Sequence, residues 1–569
     1  MQRIFIICIE RWDYNFMFEK IKKIYINRKN NKKYFKWLIK ISKSYKKEIF
    51  IIIFLNTIIT LIGVFSSVAN KYVVDMASSF SSNMYISIAI VIILSLMSLG
   101  LSAFSSIFNT YFIEKFSFGF RKNIYEELMN SRWNLIKKYH SGDILTRLTT
   151  DINNVSDGMF SIVSFVISLI VQLVSAFLLL MHYDASLAIF AIILGPFTAF
   201  ISVLFGVKLK KIQDMVQKSE SKYRSFLQEN ISNISVIKAF SYEKESQKKL
   251  DKLRDERLYW VMKKSKISTF ANFFMGFAFS FGYLFAFILG AIKLSQNNIT
   301  YGTMTAFLSL VSQVQRPIVS LANIIPKIIS ILASSGRIIE INTLEKEESS
   351  INLNLKGVVG LKIKDLDFSY ENKEIMKNFN LIIKPGEIVA IMGHSGVGKT
   401  TLINLILYFL KQNKGTIEFF DKYGNKESIS SNTRKIISYI PQGNTLFSGS
   451  ILENLRVGKE EASVEEMEEA LKNSCALEFV NSLKDGLNTI IGEHGYGLSE
   501  GQAQRISIAR ALIKKSQFMI LDEATSSLDM DTELGIIKNI MNLKDRPTCL
   551  IITHRKSILK YCNRIITIF

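Results

Sequence analysis

Six stretches of the chain are apolar over twenty or more residues, near 49–70, 84–108, 159–181, 185–207, 267–292 and 301–326, the last interrupted by Arg316. A helix needs about 20 residues to cross a hydrocarbon core of about 30 Å, so each run is long enough to span a bilayer. A buried helix of a soluble protein could account for one such run but not for six. The rest of the chain is different: from Gly357 onward short apolar segments alternate with helical ones, as in an α/β domain. The expected fold class is therefore an α-helical six-span transmembrane domain followed by an α/β domain. The boundaries read as a basic leader with an interfacial helix (1–48), the membrane domain with long cytosolic extensions (49–340), a linker (341–356) and the α/β domain (357–569).

A net charge of +22 could point to nucleic acid. Most of the basic residues, however, lie in the first 60 residues and between the apolar runs, which positive-inside topology explains, so no nucleic-acid partner is expected. The connections 109–158 and 208–266 are long and rich in Lys and Arg, whereas 71–83, 182–184 and 293–300 are short and poor in them. That asymmetry predicts a multi-pass protein of the cytoplasmic membrane, in contact with the lipid bilayer, with both termini in the cytosol. Residues 4–9 are apolar but are followed by Glu10, Arg11 and Asp13, which argues against a signal peptide. In 28–47, Lys alternates with Tyr34, Phe35, Trp37, Leu38, Ile39 and Ile41, a pattern that suits an interfacial helix on an anionic leaflet or a solvated basic leader. Neither the cysteines (Cys8, Cys475, Cys549, Cys562) nor His140, His182, His394 and His494 show metal-ligand spacing.

The chemistry is concentrated in the soluble part. The segment EIVAIM (387–392) runs into GHSGVGKTT (393–401) and then into an apolar helix, the strand, glycine-rich loop and helix order of a phosphate site. Gly393, Ser395, Gly396 and Gly398 can form a backbone nest for phosphate oxygens, Lys399 can reach the β- and γ-phosphates, and the Thr400 hydroxyl suits Mg²⁺, with Thr401 adjoining. Further on, FMIL (518–521) ends in Asp522 and Glu523. Asp522 at a strand end suits Mg²⁺ and Glu523 can polarise an attacking water, although such an acidic pair is also common in solvated turns. Together these motifs make the expected soluble domain an α/β P-loop NTPase nucleotide-binding domain that uses a nucleoside triphosphate and Mg²⁺, although phosphate binding alone does not separate a kinase from a GTPase or a pump.

Between these motifs, LSEGQAQRISIARAL (498–512) resembles the signature sequence of the ABC transporter family. The resemblance implies that Ser499, Gly501 and Gln502 meet the γ-phosphate bound to a second subunit. Glu500 stands where the commoner family pattern has Gly. Other motifs follow in order: Tyr370 matches the aromatic that stacks on adenine, and Gln442 in YIPQ matches the glutamine that contacts Mg²⁺ and adjoins the coupling regions. SSLD (526–529), which contains Asp529, matches the loop through which subunits communicate, and His554 in IITHR matches the histidine that contacts the γ-phosphate. HSGDILTRLTTDINNV (140–155) and ENISNISVIKAFSYEKE (229–245) resemble coupling regions of ABC exporters, and TIIGEHG (489–495) a segment characteristic of exporters.

The resemblance implies an ATP hydrolase that drives export by alternating access and works as a dimer with a second half-transporter. All catalytic motifs are present, so a homodimer suffices and a heterodimer remains open. An ATP-gated channel or membrane sensor using the same nucleotide cycle is the alternative, and fusion of the two domains argues against an importer. The exported substrate is unknown. Gln172, Asn272, Gln313, Gln315 and Arg316 among many Phe and Met residues suit an amphipathic or hydrophobic cargo (peptide, lipid or drug), or simply helices packing together and facing lipid. Related nucleotide domains usually continue beyond the strand RIITIF with a helical tail. Without that tail, the nucleotide domains are expected to separate widely when ATP is absent, unless the sequence is a truncated form.

Overall fold

The computed structural model describes residues 28–183, 185–348, 353–370, 373–394, 396–443, 445–492 and 495–568. It falls into two compact units, one comprising residues 1–127 and 141–343, the other 128–140 and 344–569.

The first unit is helical. Helix α1 (Arg28–Ser42) precedes α2 (Lys46–Ser78) and α3 (Met84–Met129). After α4 (Trp133–Ile136), which groups with the second unit, come α5 (Ser141–Thr146), α6 (Ile152–Tyr183), α7 (Ala185–Ser232), α8 (Ile234–Ala239), α9 (Glu243–Ser295) and α10 (Tyr301–Asn342). The six apolar runs fall one each in α2, α3, α6, α7, α9 and α10. Among the described residues, four helical segments are long and apolar enough to cross a membrane, and these carry the runs of α2, α3, α6 and α9. Many side chains of the runs in α7 and α10, including Gln315 and Arg316, lie outside the described residues. Helices α3, α7 and α9 contain 46, 48 and 53 residues. At about 1.5 Å per residue each is roughly twice as long as a bilayer core is thick, so each has length left over for an extension beyond it.

Polar side chains pin these apolar helices at defined points. Asp75 of α2 accepts the backbone N–H of Gly302 in the first turn of α10 at 2.8 Å, where a carboxylate meets unpaired donors at the positive end of the helix. Only glycine allows that approach, because a Cβ at residue 302 would lie 2.2 Å from the Lys71 carbonyl oxygen. Further along, Ser67 and Ser309 hydroxyls bond at 2.8 Å, and Gln313 donates to Ser67 Oγ at 2.8 Å and to the Gly63 carbonyl at 3.2 Å. Gln313 thus joins two helices, the packing role its sequence left open. Gln172 is half-buried and Asn272 exposed. Between these polar ties, Val64, Ala176, Leu180, Ala286, Phe307, Leu310 and Val311 of α2, α6, α9 and α10 form a buried apolar cluster.

The segment that resembles a coupling region is held by charge. A π-turn (Arg147–Asp151) leads into α6, and Asp151, 1% exposed, accepts from Ser334 Oγ at 2.8 Å and Arg337 Nε at 2.7 Å in α10. Arg147 in turn donates to Asp143, to Glu340 at 2.9 Å and to the Arg337 carbonyl at 2.7 Å. Removing one partner of a buried pair strands the other, at a cost of about 3–5 kcal/mol, whereas exposed pairs contribute about 0–1 kcal/mol. Arg337 is itself 44% exposed, so its loss falls at or below the lower end of that range. Arg337→Ala should therefore lower the thermal unfolding midpoint of the detergent-solubilised protein clearly, and Lys122→Ala, from the exposed Lys122–Glu126 pair, should leave it nearly unchanged. Equal midpoints for the two variants would contradict this reading.

The described residues of the second unit contain two large sheets and a two-stranded ribbon. Strands β1 (Val359–Tyr370), β2 (Lys373–Ile383), β4 (Lys414–Asp421) and β5 (Lys426–Ser428) form an antiparallel sheet in the order β2-β1-β4-β5. Strands β3 (Ile388–Met392), β6 (Ile437–Ile440), β9 (Phe518–Asp522), β10 (Thr548–Ile552) and β11 (Arg564–Thr567) form a parallel sheet in the order β11-β3-β10-β9-β6. Between β6 and β9 in the chain, β7 (Gly449–Ser450) and β8 (Ile490–Ile491) make a small ribbon, with helices α12 (Ile451–Arg456), α13 (Val464–Asn473) and α14 (Leu477–Ser482) between its strands. Strands β9 and β10 are buried at every position, as apolar strands covered on both faces must be. Phe419 of β4 packs edge-on against Phe518 of β9 at 5.3 Å, tying the two sheets through one core. In this unit Trp133 of α4 stacks on Phe409 at 5.0 Å, and Arg132 pairs with Glu345 at 3.1 Å and Glu348 at 3.2 Å.

Candidate nucleotide site

The register of the parallel sheet decides where the functional side chains emerge. Ile552 pairs with Ile391 on one side and with Asp522 on the other, and Ile440 pairs with Leu521. The chain therefore leaves β3, β10, β9 and β6 at nearly one level, and the residues that follow these strand ends share one edge of the sheet. Ligands of open α/β sheets bind at this carboxyl edge. After β3 comes the glycine-rich loop, after β10 His554, after β9 Glu523 and after β6 Gln442.

The loop has the geometry its glycines allow. Gly396 and Gly398 have φ of +87° and +106°, a region that side chains disfavour, and a Cβ at residue 398 would lie 2.8 Å from Ile375 Cγ2 of β2. Gly398 is the residue from which helix α11 (Lys399–Ile406) starts, so the positive end of that helix faces the loop. Ser395 lies outside the described residues. Lys399 is buried and its ammonium donates to the carbonyls of Gly393 at 2.6 Å and His394 at 3.3 Å. Thr400 is exposed and Thr401 buried.

The four strand ends meet through a chain of contacts. Lys399 Nζ lies 3.1 Å from His554 Nε2, which lies 3.3 Å from Glu523 Oε1, while Gln442 Nε2 donates to Glu523 Oε2 at 2.8 Å. Glu523 has φ of +49°, uncommon for a residue with a side chain, and its N–H is held by the Ile552 carbonyl at 3.0 Å. Asp522, inside the strand end, is 5% exposed; burial and then the neighbouring Glu523 charge push its carboxyl up to about 6. Tyr439 Oη lies 3.4 Å from Asp522 Oδ2 and is its one hydrogen-bonding side chain among the described residues. Tyr370 ends β1 with its ring 44% exposed, edge-on to Phe368 at 4.9 Å. Its partner strand β2 supplies the Ile375 that touches Gly398.

The signature residues form a separate group. Ser499 caps α15 (Glu500–Ile513): its hydroxyl accepts the Gln502 N–H at 3.3 Å, and its own N–H donates to Gln502 Oε1 at 2.9 Å. A Cβ on Gly501 would meet the Ser527 carbonyl at 3.2 Å, so α15 lies against the Ser526–Asp529 turn. Asp529 caps α16 (Met530–Met541), accepting from the Thr532 N–H at 3.0 Å, and that bond holds its carboxyl below the usual range. Among the described residues, no hydrogen bond joins Ser499, Gly501 or Gln502 to Lys399, Gln442 or His554.

Two residues that sequence reasoning passed over connect these groups. Gln504, 4% exposed on α15, accepts from Ser527 Oγ at 2.7 Å and reaches the Glu523 carbonyl at 3.5 Å. Arg555, next to His554, donates to the carbonyls of Leu528 at 2.8 Å and Ser526 at 2.6 Å. The available signal for Gln504 is a polar residue among Ala and Ile on a buried helix; Arg555 carries none, because it meets backbone carbonyls and its carboxylate partner, the buried Glu533 at 3.4 Å, is distant in the chain. Glu493 and His494 of the exporter-like segment lie outside the described residues.

Both parts of the chain have matches among known proteins. The family model described as "ABC transporter transmembrane region" matches residues 49–318, and the one described as "ABC transporter" matches residues 376–526. An "ATP-dependent lipid A-core flippase" of Syntrophus aciditrophicus (strain SB) is 28% identical over 84% of this chain and 80% of its own length. A "Multidrug resistance-like ATP-binding protein MdlA" of Buchnera aphidicola subsp. Baizongia pistaciae (strain Bp) is 32% identical over 80% of this chain and 79% of its own. The solved structure of a bacterial Atm1-family ABC exporter with ATP bound shares the fold, with a TM-score of 0.77 at 19% identity over 93% of this chain and 94% of that one.

The loop geometry yields a direct test. Gly398→Ala should place a methyl group against Ile375 at a backbone angle costing about 1–2 kcal/mol, and should weaken binding of a fluorescent ATP analogue at least about tenfold. Unchanged affinity would show that the turn at Gly398 does not shape the phosphate site.

Proposed function

We propose, starting from the fact that the chain belongs to the ABC transporter family and is an ATP-hydrolysing membrane exporter, that it moves an amphipathic or hydrophobic compound as a homodimer. Both termini face the cytosol in this reading. The observation that carries it is the convergence of Lys399, His554, Glu523 and Gln442 at level strand ends. The names of the relatives, a lipid A-core flippase and a multidrug resistance-like protein, support an amphipathic cargo.

ATP enters with its phosphates over the Gly393–Thr401 loop. Lys399 exchanges its carbonyl acceptors on Gly393 and His394 for β- and γ-phosphate oxygens, and the α11 N-terminus adds backbone donors. The exposed Tyr370 ring offers a stacking face for adenine. Glu523 takes a proton from the attacking water, with its carboxylate aimed by the Gln442 amide, and His554 stands between Glu523 and Lys399 to meet the γ-phosphate. Asp522, a buried carboxylate whose hydrogen-bonding side chain among the described residues is Tyr439, suits a hard cation, and with Thr400 and Gln442 it would hold Mg²⁺. Bound there, Mg²⁺ would neutralise charge on the phosphates.

The resemblance has a second copy complete the site, and it is supported by Ser499, Gly501 and Gln502 having, among the described residues, no hydrogen bond to Lys399, Gln442 or His554. The Ser499 hydroxyl accepts from Gln502, so its own proton is free to donate to a phosphate oxygen. Gln504 and Arg555 tie the signature helix and the Ser526–Asp529 turn to the segments bearing Glu523 and His554, a route by which one site's state reaches the other.

Glu523→Gln should keep ATP affinity and lose about 10²- to 10⁴-fold in turnover, the usual contribution of a general base. Lys399→Ala should instead weaken nucleotide binding itself. Near-normal hydrolysis by Glu523→Gln removes that residue from catalysis. The shared site is checked separately by cross-linking and ATPase rate: the rate per chain should follow the dimer fraction, and full activity in a monomer would refute it.

A further inference from the structure

Helix α1 has three distinct faces. Tyr34, Trp37, Leu38 and Ile41 are half-buried and turn toward the first unit. Tyr34 covers Gly336 of α10, where a Cβ would come within 3.1 Å of its ring, and Trp37 meets Phe120 of α3 at 5.6 Å. Just beyond the helix, Tyr45 meets Phe116 of α3 edge-on at 4.9 Å. A second face carries Lys32, Lys36, Lys40 and, directly after the helix, Lys43, all exposed and spaced to fall on one stripe. The helix contains no acidic residue, and none of these four lysines pairs with a carboxylate among the described residues. Between the lysine stripe and the packed face lie Phe35 and Ile39, one turn apart and 61% and 44% exposed.

We propose that α1 is a docking surface for anionic phospholipid headgroups of the leaflet it borders. Protein packing already occupies one face and fixes how the other two are presented. Only three residues separate α1 from α2, which carries the first apolar run, so α1 is tethered at the edge of the bilayer. At that edge the lysine ammonium groups meet phosphates, while Phe35 and Ile39 enter the acyl boundary. An acidic protein segment would satisfy the lysines but leave Phe35 and Ile39 in water, so the adjacent stripes fit a lipid surface better.

The test uses the full chain in bilayer discs of phosphatidylcholine that contain a trace of spin-labelled phosphatidylglycerol or spin-labelled phosphatidylcholine. In the wild type, the phosphatidylglycerol label should show about a threefold larger motionally restricted fraction, a modest share of the roughly fivefold that each lysine can contribute near an anionic surface. The combined Lys32→Gln, Lys36→Gln, Lys40→Gln and Lys43→Gln variant should bring the two labels close to parity, and the matching Lys→Arg variant should keep the preference. For the wild type, about 0.5 M salt should narrow the difference by screening. Three results would overturn the proposal: no preference in the wild type, a preference retained by the Gln variant, or one indifferent to salt. The salt series decides the matter even if the Gln variant fails to assemble. The readout needs neither ATP nor a known cargo, so it stands or falls apart from the transport reading.

Discussion

Because Ile552 pairs with Ile391 on one side and Asp522 on the other, segments of chain more than a hundred residues apart end at the same height on one sheet. The nucleotide site depends on that register. A slip of one residue in a strand reverses the facing of every side chain it carries, which would bury Glu523 or turn Asp522 out of the edge. The register is enforced by burial: the apolar residues of β9 and β10 have nowhere else to go, and Phe419 against Phe518 fixes the parallel sheet to its antiparallel neighbour. Packing energy in the core thus becomes positional accuracy at Lys399, Gln442, Glu523 and His554.

The membrane unit solves a different problem. Apolar helices in lipid gain little from burying apolar surface against one another, so specificity comes from close packing and a few polar ties. Asp75 on Gly302, Ser67 on Ser309 and Gln313 on Ser67 register α2 against α10 over several turns. Outside the apolar runs the bonding changes to charge, with Asp151, Arg337, Arg147 and Glu340 locking the start of α6 to the end of α10. Those ties make the segment between 141 and 155 a continuation of the helices rather than a loose loop.

Much of this was legible in the sequence because the signals were local. Each apolar run is its own evidence for a helix, and the loop from Gly393 to Thr401 sits between a strand and a helix wherever it occurs. The acids at the end of β9 could be read the same way, whereas the Ser499–Gln502 cap emerges only in the structure. What escaped was tertiary. Gln313 looks identical in sequence whether it faces a cavity or a neighbouring helix, and only the positions of Gly63 and Ser67 decide. Asp151 and Arg337 are 186 residues apart, and nothing local to either announces the other. Gln504 stands out as a polar residue on a buried helix, but its partners, Ser527 and the Glu523 carbonyl, lie outside that helix, and Arg555 meets backbone carbonyls and Glu533, far from it in the chain, so local sequence announces neither set of contacts.

Uphill export driven by this site's ATP cycle is tested most directly in inside-out membrane vesicles. Compounds are first screened for stimulation of the purified protein's ATPase, and one that stimulates is then followed into vesicles. With ATP it should accumulate inside above its external concentration, and with a non-hydrolysable ATP analogue it should not. Equilibration to equal concentrations on both sides, with ATP hydrolysis running, would contradict the account.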